Sequence, residues 1–156
     1  MENVCIRTAC EADAAAVLEC IRGIAAYENM SDLVENTVER IQRVVFRENA
    51  ARVILAEKDG APIGFALYFF NYSTFTGKKG LYLEDLFVKE AYRGLGIGKK
   101  LFLTLKEIAV AEDCGRMEWC CLKWNEPSIA FYRSMGAIPL TEWDTWRISF
   151  PQTKSE

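Results

Sequence analysis

Histidine is absent from all 156 residues of this chain. Any general base must therefore be a carboxylate, a Tyr, a Lys, a Cys or a water molecule. The common zinc-binding sets also lack their His, and the six cysteines show no Cys-x-x-Cys spacing. We therefore expect no metal site, and we interpret the cysteines as small buried hydrophobic residues of a protein in a reducing cytosol.

An excess of basic residues is also missing. The chain has 19 Lys and Arg against 22 Asp and Glu, a net charge of −3, so it carries no electrostatic footprint for nucleic acid. No apolar run reaches the length of a transmembrane helix, and Met1-Glu2-Asn3 is not typical of a signal peptide. These absences predict a cytoplasmic protein that binds neither nucleic acid nor membrane, and the mild acidity suits a cationic substrate.

The remaining composition is that of a globular protein, with 51% hydrophobic and 26% charged residues. We find no internal repeat or linker and expect a single domain over residues 1–156. Apolar periodicity and turn signals give the element order βααβββαβαββ, which predicts a mixed α/β fold with a mostly antiparallel central sheet flanked by helices. A short strand is expected from Val4 to Thr8, a helix start at Asn36, a hairpin turn at Lys58-Asp59-Gly60 and a strand from Met117 to Leu122. The two closing strands are expected at Ala137-Ile138 and from Trp143 to Phe150, and the tail from Gln152 is expected to fray.

One stretch in the middle of the chain predicts a phosphate-binding turn. The apolar run from Leu81 to Val88 indicates a strand, and an amphipathic helix with apolar residues at Ile97, Leu101 and Leu105 follows it. Between them lies the turn Arg93-Gly94-Leu95-Gly96-Ile97-Gly98. The first N–H groups of a helix have no internal partners, and glycines let the backbone approach an anion closely.

The spacing of the glycines separates the known phosphate loops. A Walker loop fails because Arg93 stands at its first glycine and Lys100 at its hydroxyl position. A dinucleotide fingerprint fails because Lys99 stands at its third glycine. Two interpretations of the turn remain. One is a plain tight connection, and the other is a phosphate loop with the pattern Arg/Gln-x-x-Gly-x-Gly/Ala. The second resembles the acyl-CoA pyrophosphate loop of the GCN5-related N-acetyltransferases.

Three blocks of sequence extend this resemblance to the polyamine (spermidine/spermine) and thialysine acetyltransferases. They are Tyr82-Leu83-Glu84-Asp85-Leu86-Phe87-Val88, the glycine turn with Tyr92 before it, and Trp124-Asn125-Glu126-Pro127-Ser128-Ile129-Ala130-Phe131-Tyr132. Tyr27-Glu28 fits the same subfamily. The resemblance implies the GNAT fold, acetyl-CoA as co-substrate, a small cationic amine as acceptor, and a homodimer.

Two residues are candidates for proton transfer. An alkyl amine titrates near ~10.4, so it reaches the enzyme protonated and must lose a proton before it attacks a thioester. Glu84 lies in an otherwise apolar strand, where an unpaired carboxylate is unfavourable, and the resemblance makes it the base, acting through water. The resemblance makes Tyr132 the acid that protonates the departing thiolate. The competing interpretations are an ion-paired strand carboxylate and a tyrosine of the hydrophobic core.

The resemblance also implies binding residues. The coenzyme pyrophosphate would be bound by backbone N–H groups of Arg93, Gly94, Leu95, Gly96, Ile97 and Gly98, with charge from Arg93 and Lys99. The backbone of Leu86, Phe87 and Val88 would pair with the pantetheine like an added strand, at a bulge that opens the sheet. Asn125 would cap a helix or contact the coenzyme arm. Candidates for binding the amine are Tyr27, Glu28, Asp32, Glu84, Asp85 and Asp144. Strand alternation is expected to place Asp85 on the face opposite Glu84.

Two other functions remain open at this point. One is acetylation of a protein or peptide amine, which the sequence does not exclude. The other is a sensor that binds acyl-CoA without turnover. The presence of both Glu84 and Tyr132 argues against the sensor, because binding alone requires neither an acid nor a base.

Overall fold

A computed structural model describes residues 3–151, in which five strands and four α-helices succeed one another. The elements are β1 (Val4–Thr8), α1 (Ala14–Tyr27), α2 (Val38–Arg40), β2 (Arg52–Lys58), β3 (Ala61–Ser73), β4 (Lys78–Val88), α3 (Ile97–Ala111), β5 (Arg116–Glu118) and α4 (Glu126–Ser134).

The strands form one sheet in the order β1-β2-β3-β4-β5. All neighbouring pairs are antiparallel except β4 and β5, which are parallel and are joined by the crossover helix α3. This confirms the mixed, mostly antiparallel sheet expected from the sequence. The turn expected at Lys58-Asp59-Gly60 is also confirmed, because Asp59 and Gly60 have φ angles of 51° and 80° and connect β2 to β3.

Helices cover both faces of the sheet. On one face, α1 packs Val17 and Leu18 against Leu55 and Phe65, and all four side chains are buried. The alternate residues of the strands face α3, whose Leu101 and Leu105 are fully buried. Burying each large apolar side chain contributes about 1.5–3 kcal/mol, so the two helix faces hold the sheet from both sides.

The second helix differs from its expected form. The sequence suggested Asn36 as its start, but Thr37 provides the N-cap, and its hydroxyl oxygen accepts a hydrogen bond from the Arg40 N–H at 3.2 Å. After one turn, the helix continues as a π-helix over Ile41–Arg47.

Contacts divide the chain into two compact units, with the boundary between Cys120 and Cys121. The second unit contains α4 and an irregular segment, so the prediction of closing strands at 137–138 and 143–150 is wrong for the described residues. A strand requires a ladder of backbone hydrogen bonds, and an apolar pattern alone does not provide the partner. β5 also ends at Glu118, earlier than the expected Leu122. The tail from Gln152 lies outside the described residues.

The cysteines are mostly not buried. All six are free thiols, and only Cys20 is buried, on the side of α1 that faces the core. The interpretation of the whole set as buried hydrophobic residues is therefore wrong, because an apolar residue type does not by itself determine burial. No helix among residues 3–151 has both the length and the apolar character needed to cross a bilayer.

Candidate active site

A β-bulge in β4 lies at Glu84. Leu67 of β3 pairs with Asp85, and Tyr68 pairs with Leu83, so Glu84 has no partner in the register. The extra residue resets the alternation of side chains beyond it. The expectation that Asp85 faces away from Glu84 is therefore wrong, and the two carboxylates lie close enough for Glu84 to raise the pKa of Asp85.

Asp85 is a half-buried carboxylate in a negative environment. Burial, followed by the charges of Glu84 and Glu28, raises its pKa to about 6. Glu28 lies at the C-terminal end of α1, where burial raises its pKa as well. Among the described residues, no Lys or Arg forms an ion pair with Glu28, Glu84 or Asp85.

A second group of carboxylates in the first unit shows the contrast. Asp13 and Glu57 are also largely buried, but both accept hydrogen bonds from Arg7, at 2.8 Å and 2.6 Å. The Arg7 guanidinium holds the pKa of each carboxylate below its ordinary value. No Lys or Arg within residues 3–151 forms an ion pair with Asp85, so a bound cation would stabilise its charged form.

One edge of β4 is open beside these carboxylates. β5 pairs only with Gly80, Leu81 and Tyr82, and beyond Tyr82 no strand of the described residues pairs with this edge. The segment Leu86–Val88 pairs with β3 on its other edge. The backbone groups of the open edge are therefore suited to accept an extended ligand, as the pantetheine prediction requires.

The glycine turn follows this edge. Gly94 and Gly96 have φ angles of 76° and 77°, and Gly96 is the N-cap residue of α3, so both positions require the conformation that glycine adopts without strain. A Cβ built on either glycine would have no atom within 4 Å. The turn thus leads into the N-terminus of α3 with free space around both glycines, and the first N–H groups of a helix are suited to binding phosphate.

Arg93 begins the turn and is fixed at three points. Its guanidinium carbon lies 5.0 Å from the centroid of the Tyr27 ring and 5.5 Å from that of the Phe87 ring. Its Nε donates a hydrogen bond of 2.9 Å to the carbonyl oxygen of Val88. Lys99, the other cation expected at the pyrophosphate, is exposed on the first turn of α3.

Tyr82 lies where β4 and β5 separate. Its ring stacks on Phe69 with 5.0 Å between centroids, and its hydroxyl oxygen is 3.2 Å from the Sγ of Cys120. Burial is the main cause that raises the pKa of Tyr82, with the hydrogen bond to Cys120 second. Tyr82 pairs with Phe69, and Asp85 pairs with Leu67, so both lie on the same face of the sheet despite their odd separation.

Asp32 is exposed on the 3-10 turn Ser31–Leu33, beyond Glu28. Its role in binding the amine stays a prediction.

The other candidates lie in the second unit. Asn125 caps α4, because its Oδ1 accepts a hydrogen bond from the Ser128 N–H at 3.4 Å. Tyr132 lies on α4 with its ring 5.4 Å from that of Phe131, and Gly136, with φ of 87°, follows the helix. Asp144 lies in the irregular segment after α4. The capping role expected for Asn125 and the helix that carries Tyr132 are confirmed.

Sequence reasoning missed Gly23 and the role of the Phe87 ring. A Cβ on Gly23 would lie 2.5 Å from Cζ of Phe87, so this glycine in the middle of α1 makes room for the ring that contacts Arg93. The available signal was an isolated glycine inside an amphipathic helical pattern, which often marks a close approach.

The chain is similar in sequence to known acetyltransferases. The profile of the acetyltransferase (GNAT) family matches residues 20–137. A thialysine N-epsilon-acetyltransferase of Sus scrofa is 38% identical over 155 residues, covering 94% of this chain and 91% of the relative. The spermidine/spermine N(1)-acetyltransferase-like protein 1 of Homo sapiens is 37% identical over 95% of this chain, which corresponds to 22% of that longer protein.

Solved structures agree on the fold. An integron cassette protein from the mobile metagenome of V. cholerae superposes with a TM-score of 0.80 and 25% identity, over 96% of this chain and 94% of that one. An aminoglycoside acetyltransferase from an uncultured soil metagenomic sample gives a TM-score of 0.74 at 20% identity, with 97% of both chains covered. At this identity the likeness concerns the fold alone.

Proposed function

Because the chain belongs to the acetyltransferase (GNAT) family and is an N-acetyltransferase, we propose that it acetylates a small molecule with more than one cationic group. Suitable acceptors are a diamine, a polyamine or an amino acid of the thialysine type. The relatives named for thialysine and for spermidine/spermine support this substrate class, since they match nearly the whole of this chain.

The observation that carries the proposal is the charge state around Asp85. A half-buried carboxylate with a pKa raised to about 6 by burial and by two other carboxylates is unfavourable in the free protein. A substrate ammonium group placed among Asp85, Glu84 and Glu28 would relieve both the desolvation and the repulsion. A neutral substrate would relieve neither, so this site favours a cation.

The reaction needs one base and one acid. Glu84, acting through water, accepts the proton of the substrate ammonium, and the free amine attacks the thioester carbonyl carbon. The C–N bond forms, the C–S bond breaks, and Tyr132 donates its hydroxyl proton to the thiolate. The new amide nitrogen loses its second proton through water, which restores the Tyr132 hydroxyl, and Glu84 releases its proton to solvent. The bulge supports the role of Glu84, because it takes this residue out of the ladder register at the open edge of β4.

The coenzyme occupies the glycine turn and the open edge of β4. The N–H groups from Arg93 to Gly98 bind the pyrophosphate, with charge from Arg93 and Lys99. The pantetheine pairs with the backbone of Leu86–Val88. Two observations support this placement: the positive φ angles of the two glycines, and the edge of Leu86–Val88 away from β3, with which no strand of the described residues pairs. Asn125 contacts the coenzyme arm in addition to capping α4.

Further parts of the proposal rest on the family resemblance. Tyr27, Asp32 and Asp144 complete the amine site, and the chain functions as a single acetyltransferase domain, since the family profile extends across the boundary between the two units. The protein is a homodimer of the cytoplasm. Sedimentation equilibrium tests the dimer, and a monomer at micromolar concentration would contradict it.

A panel of amines tests the function. Release of the coenzyme thiol is followed with acetyl-CoA and matched pairs of diamines and their singly deaminated analogues. We expect the diamines to be acetylated more efficiently, and added salt to raise their KM because it screens the carboxylates. Equal efficiency within each pair would contradict a doubly cationic substrate. Activity only on peptides would indicate a protein acetyltransferase, and acetyl-CoA binding without any thiol release would indicate a sensor.

A further inference from the structure

We propose that the Tyr27 ring, acting through the guanidinium of Arg93, holds the glycine turn in the shape that binds acetyl-CoA. Tyr27 would then be a positioning residue for the coenzyme, although it lies on α1, at the amine-binding end of the site. The proposal rests on the proposed function, because it assigns acetyl-CoA to the turn after β4.

The turn itself has little packing to hold it. Gly94 and Gly96 are exposed, and a Cβ on either one would contact nothing within 4 Å. The two glycines, separated only by Leu95, also give the unfolded backbone unusual freedom, which must be lost when the turn takes one shape. A fixed shape must therefore come from the ends of the turn, which are Arg93 and the start of α3.

Arg93 supplies one of these fixed ends. Its guanidinium contacts the rings of both Tyr27 and Phe87, and its Nε donates to the Val88 carbonyl oxygen. The Phe87 carbonyl oxygen faces β3, because it lies 2.7 Å from the position that a Cβ of Gly64 would take. Successive carbonyl groups of a strand point to opposite sides, so the Val88 carbonyl faces the open edge of β4. Arg93 is therefore anchored at the end of the edge that would receive the pantetheine.

The Phe87 ring is itself fixed. The ring lies against the backbone of α1 at Gly23, where a Cβ would approach Cζ and Cε1 to 2.5 Å and 2.6 Å. Tyr27 is four residues further along α1, one helical turn away on the same face. Gly23 and Tyr27, one turn apart on α1, thus determine where the Arg93 side chain lies. The position of Arg93 in turn fixes the start of the glycine turn.

This arrangement lowers the cost of binding acetyl-CoA because the turn does not have to be ordered by the ligand. Each cation–π contact of this kind contributes modestly, so loss of the Tyr27 ring should weaken acetyl-CoA binding by roughly three- to tenfold. A purely structural role of Tyr27 would lower the melting temperature and leave the dissociation constant of acetyl-CoA unchanged.

The test measures the acetyl-CoA dissociation constant by calorimetry, without any amine present. Tyr27→Leu removes the aromatic ring, whereas the matched control Tyr27→Phe keeps it and removes only the hydroxyl. We expect weaker acetyl-CoA binding for Tyr27→Leu and wild-type affinity for Tyr27→Phe, with both proteins folded. Unchanged affinity of a folded Tyr27→Leu protein, or equal losses in both variants, would overturn the proposal.

Arg93→Lys provides a second approach if Tyr27→Leu does not fold. Lysine keeps the charge but loses the planar group that stacks on the rings and the Nε bond to Val88, and the exposed position of Arg93 makes unfolding unexpected. Weakened binding supports the proposal, and wild-type affinity contradicts it.

Gly96→Ala distinguishes a failure of the role of Tyr27 from a failure of the assignment of acetyl-CoA to the glycine turn. If Gly96→Ala weakens acetyl-CoA binding and Tyr27→Leu does not, only the role of Tyr27 fails, whereas a wild-type protein that does not bind acetyl-CoA would refute both.

Discussion

Gly23 of α1 and Phe87 of β4 lie so close together that no side chain fits between them. A Cβ on Gly23 would come within 2.5 Å of Cζ of Phe87, closer than Cβ contacts in proteins come. A glycine inside a helix is less favourable than alanine by about 1 kcal/mol. The helix therefore carries a local weakness at the point where the sheet brings an aromatic ring against it.

This contact predicts that Gly23→Ala has opposite effects on stability in the wild-type protein and in a Phe87→Leu variant. Gly23→Ala in the wild-type protein should lower the free energy of unfolding by about 1–3 kcal/mol, because the ring must move to admit the methyl group. In a Phe87→Leu background the same substitution should be neutral or stabilising, since the helix gains the better residue and the clash is gone. Urea unfolding of the wild type, the two single variants and the double variant gives the coupling free energy between the two positions. Additive effects of the two substitutions would contradict the contact.

The pKa of Asp85 predicts an unusual dependence of stability on pH. Its ordinary value of 3.8 is raised to about 6 in the folded protein, so the folded state binds more protons than the unfolded state between these values. Stability from this group therefore falls as pH rises from about 4 to about 6 and stays low above. Asp85→Asn removes this loss and should stabilise the free protein by roughly 1–2 kcal/mol at pH 7, with little effect below pH ~4.

Asp13→Asn is the control, because Arg7 lowers the pKa of Asp13. A carboxylate of lowered pKa contributes stability above its ordinary pKa and loses it as pH falls, so Asp13→Asn should destabilise the protein at pH 7. Thermal unfolding of both variants across pH 4–8 should show changes of opposite sign. If Asp85→Asn also destabilises the protein at pH 7, the carboxylate has a stabilising partner and the cation-binding interpretation is wrong.

Two glycines with the same backbone conformation allow a direct test of the coenzyme turn. Gly96 and Gly60 have φ angles of 77° and 80°, and neither has an atom within 4 Å of a Cβ position. Alanine at either site should cost about 1–2 kcal/mol of stability through backbone strain. Only Gly96→Ala should weaken acetyl-CoA binding in calorimetry, because only that strain distorts the phosphate-binding turn. Equal acetyl-CoA affinities of the two variants would contradict the assignment of the coenzyme to this turn.

The sequence predicted the elements whose signals are local. The strand β1, the turn at Asp59-Gly60, and the cap of α4 at Asn125 depend on neighbouring residues, and all were found as expected. The parallel pairing of β4 and β5 followed from the helix between them. These features require no knowledge of distant parts of the chain.

The features that the sequence did not predict arise from contacts between distant segments. The resemblance implied a bulge in this strand, but its position at Glu84 depends on the register of β4 against β3, and it reverses the facing of Asp85 that simple alternation suggests. The space at Gly23 depends on a ring sixty-four positions away. The apolar pattern from Trp143 to Phe150 suggested a strand, but a strand also needs a partner edge, and the pattern carries no information about one.

Glu84→Gln tests the base. The variant keeps the size of the side chain but cannot accept the proton, so kcat should fall, most strongly at low pH, where nearly all of the amine is protonated. Acetyl-CoA affinity should change little. Glu107→Gln, at an exposed position of α3, is the control and should retain the wild-type pH profile. A parallel loss for Glu84→Gln at every pH would instead indicate that Glu84 binds the substrate charge.

Tyr132→Phe tests the acid, and the ring of Tyr132 on α4 makes the substitution conservative. Removing only the hydroxyl keeps the packing of the ring, so the melting temperature and acetyl-CoA affinity should change little. If the hydroxyl protonates the thiolate in the transition state, kcat should fall roughly 10²- to 10⁴-fold. A hydroxyl that serves only a structural hydrogen bond predicts the reverse, a lower melting temperature with turnover nearly intact. Tyr72→Phe, at an exposed tyrosine of β3, is the control and should change neither quantity.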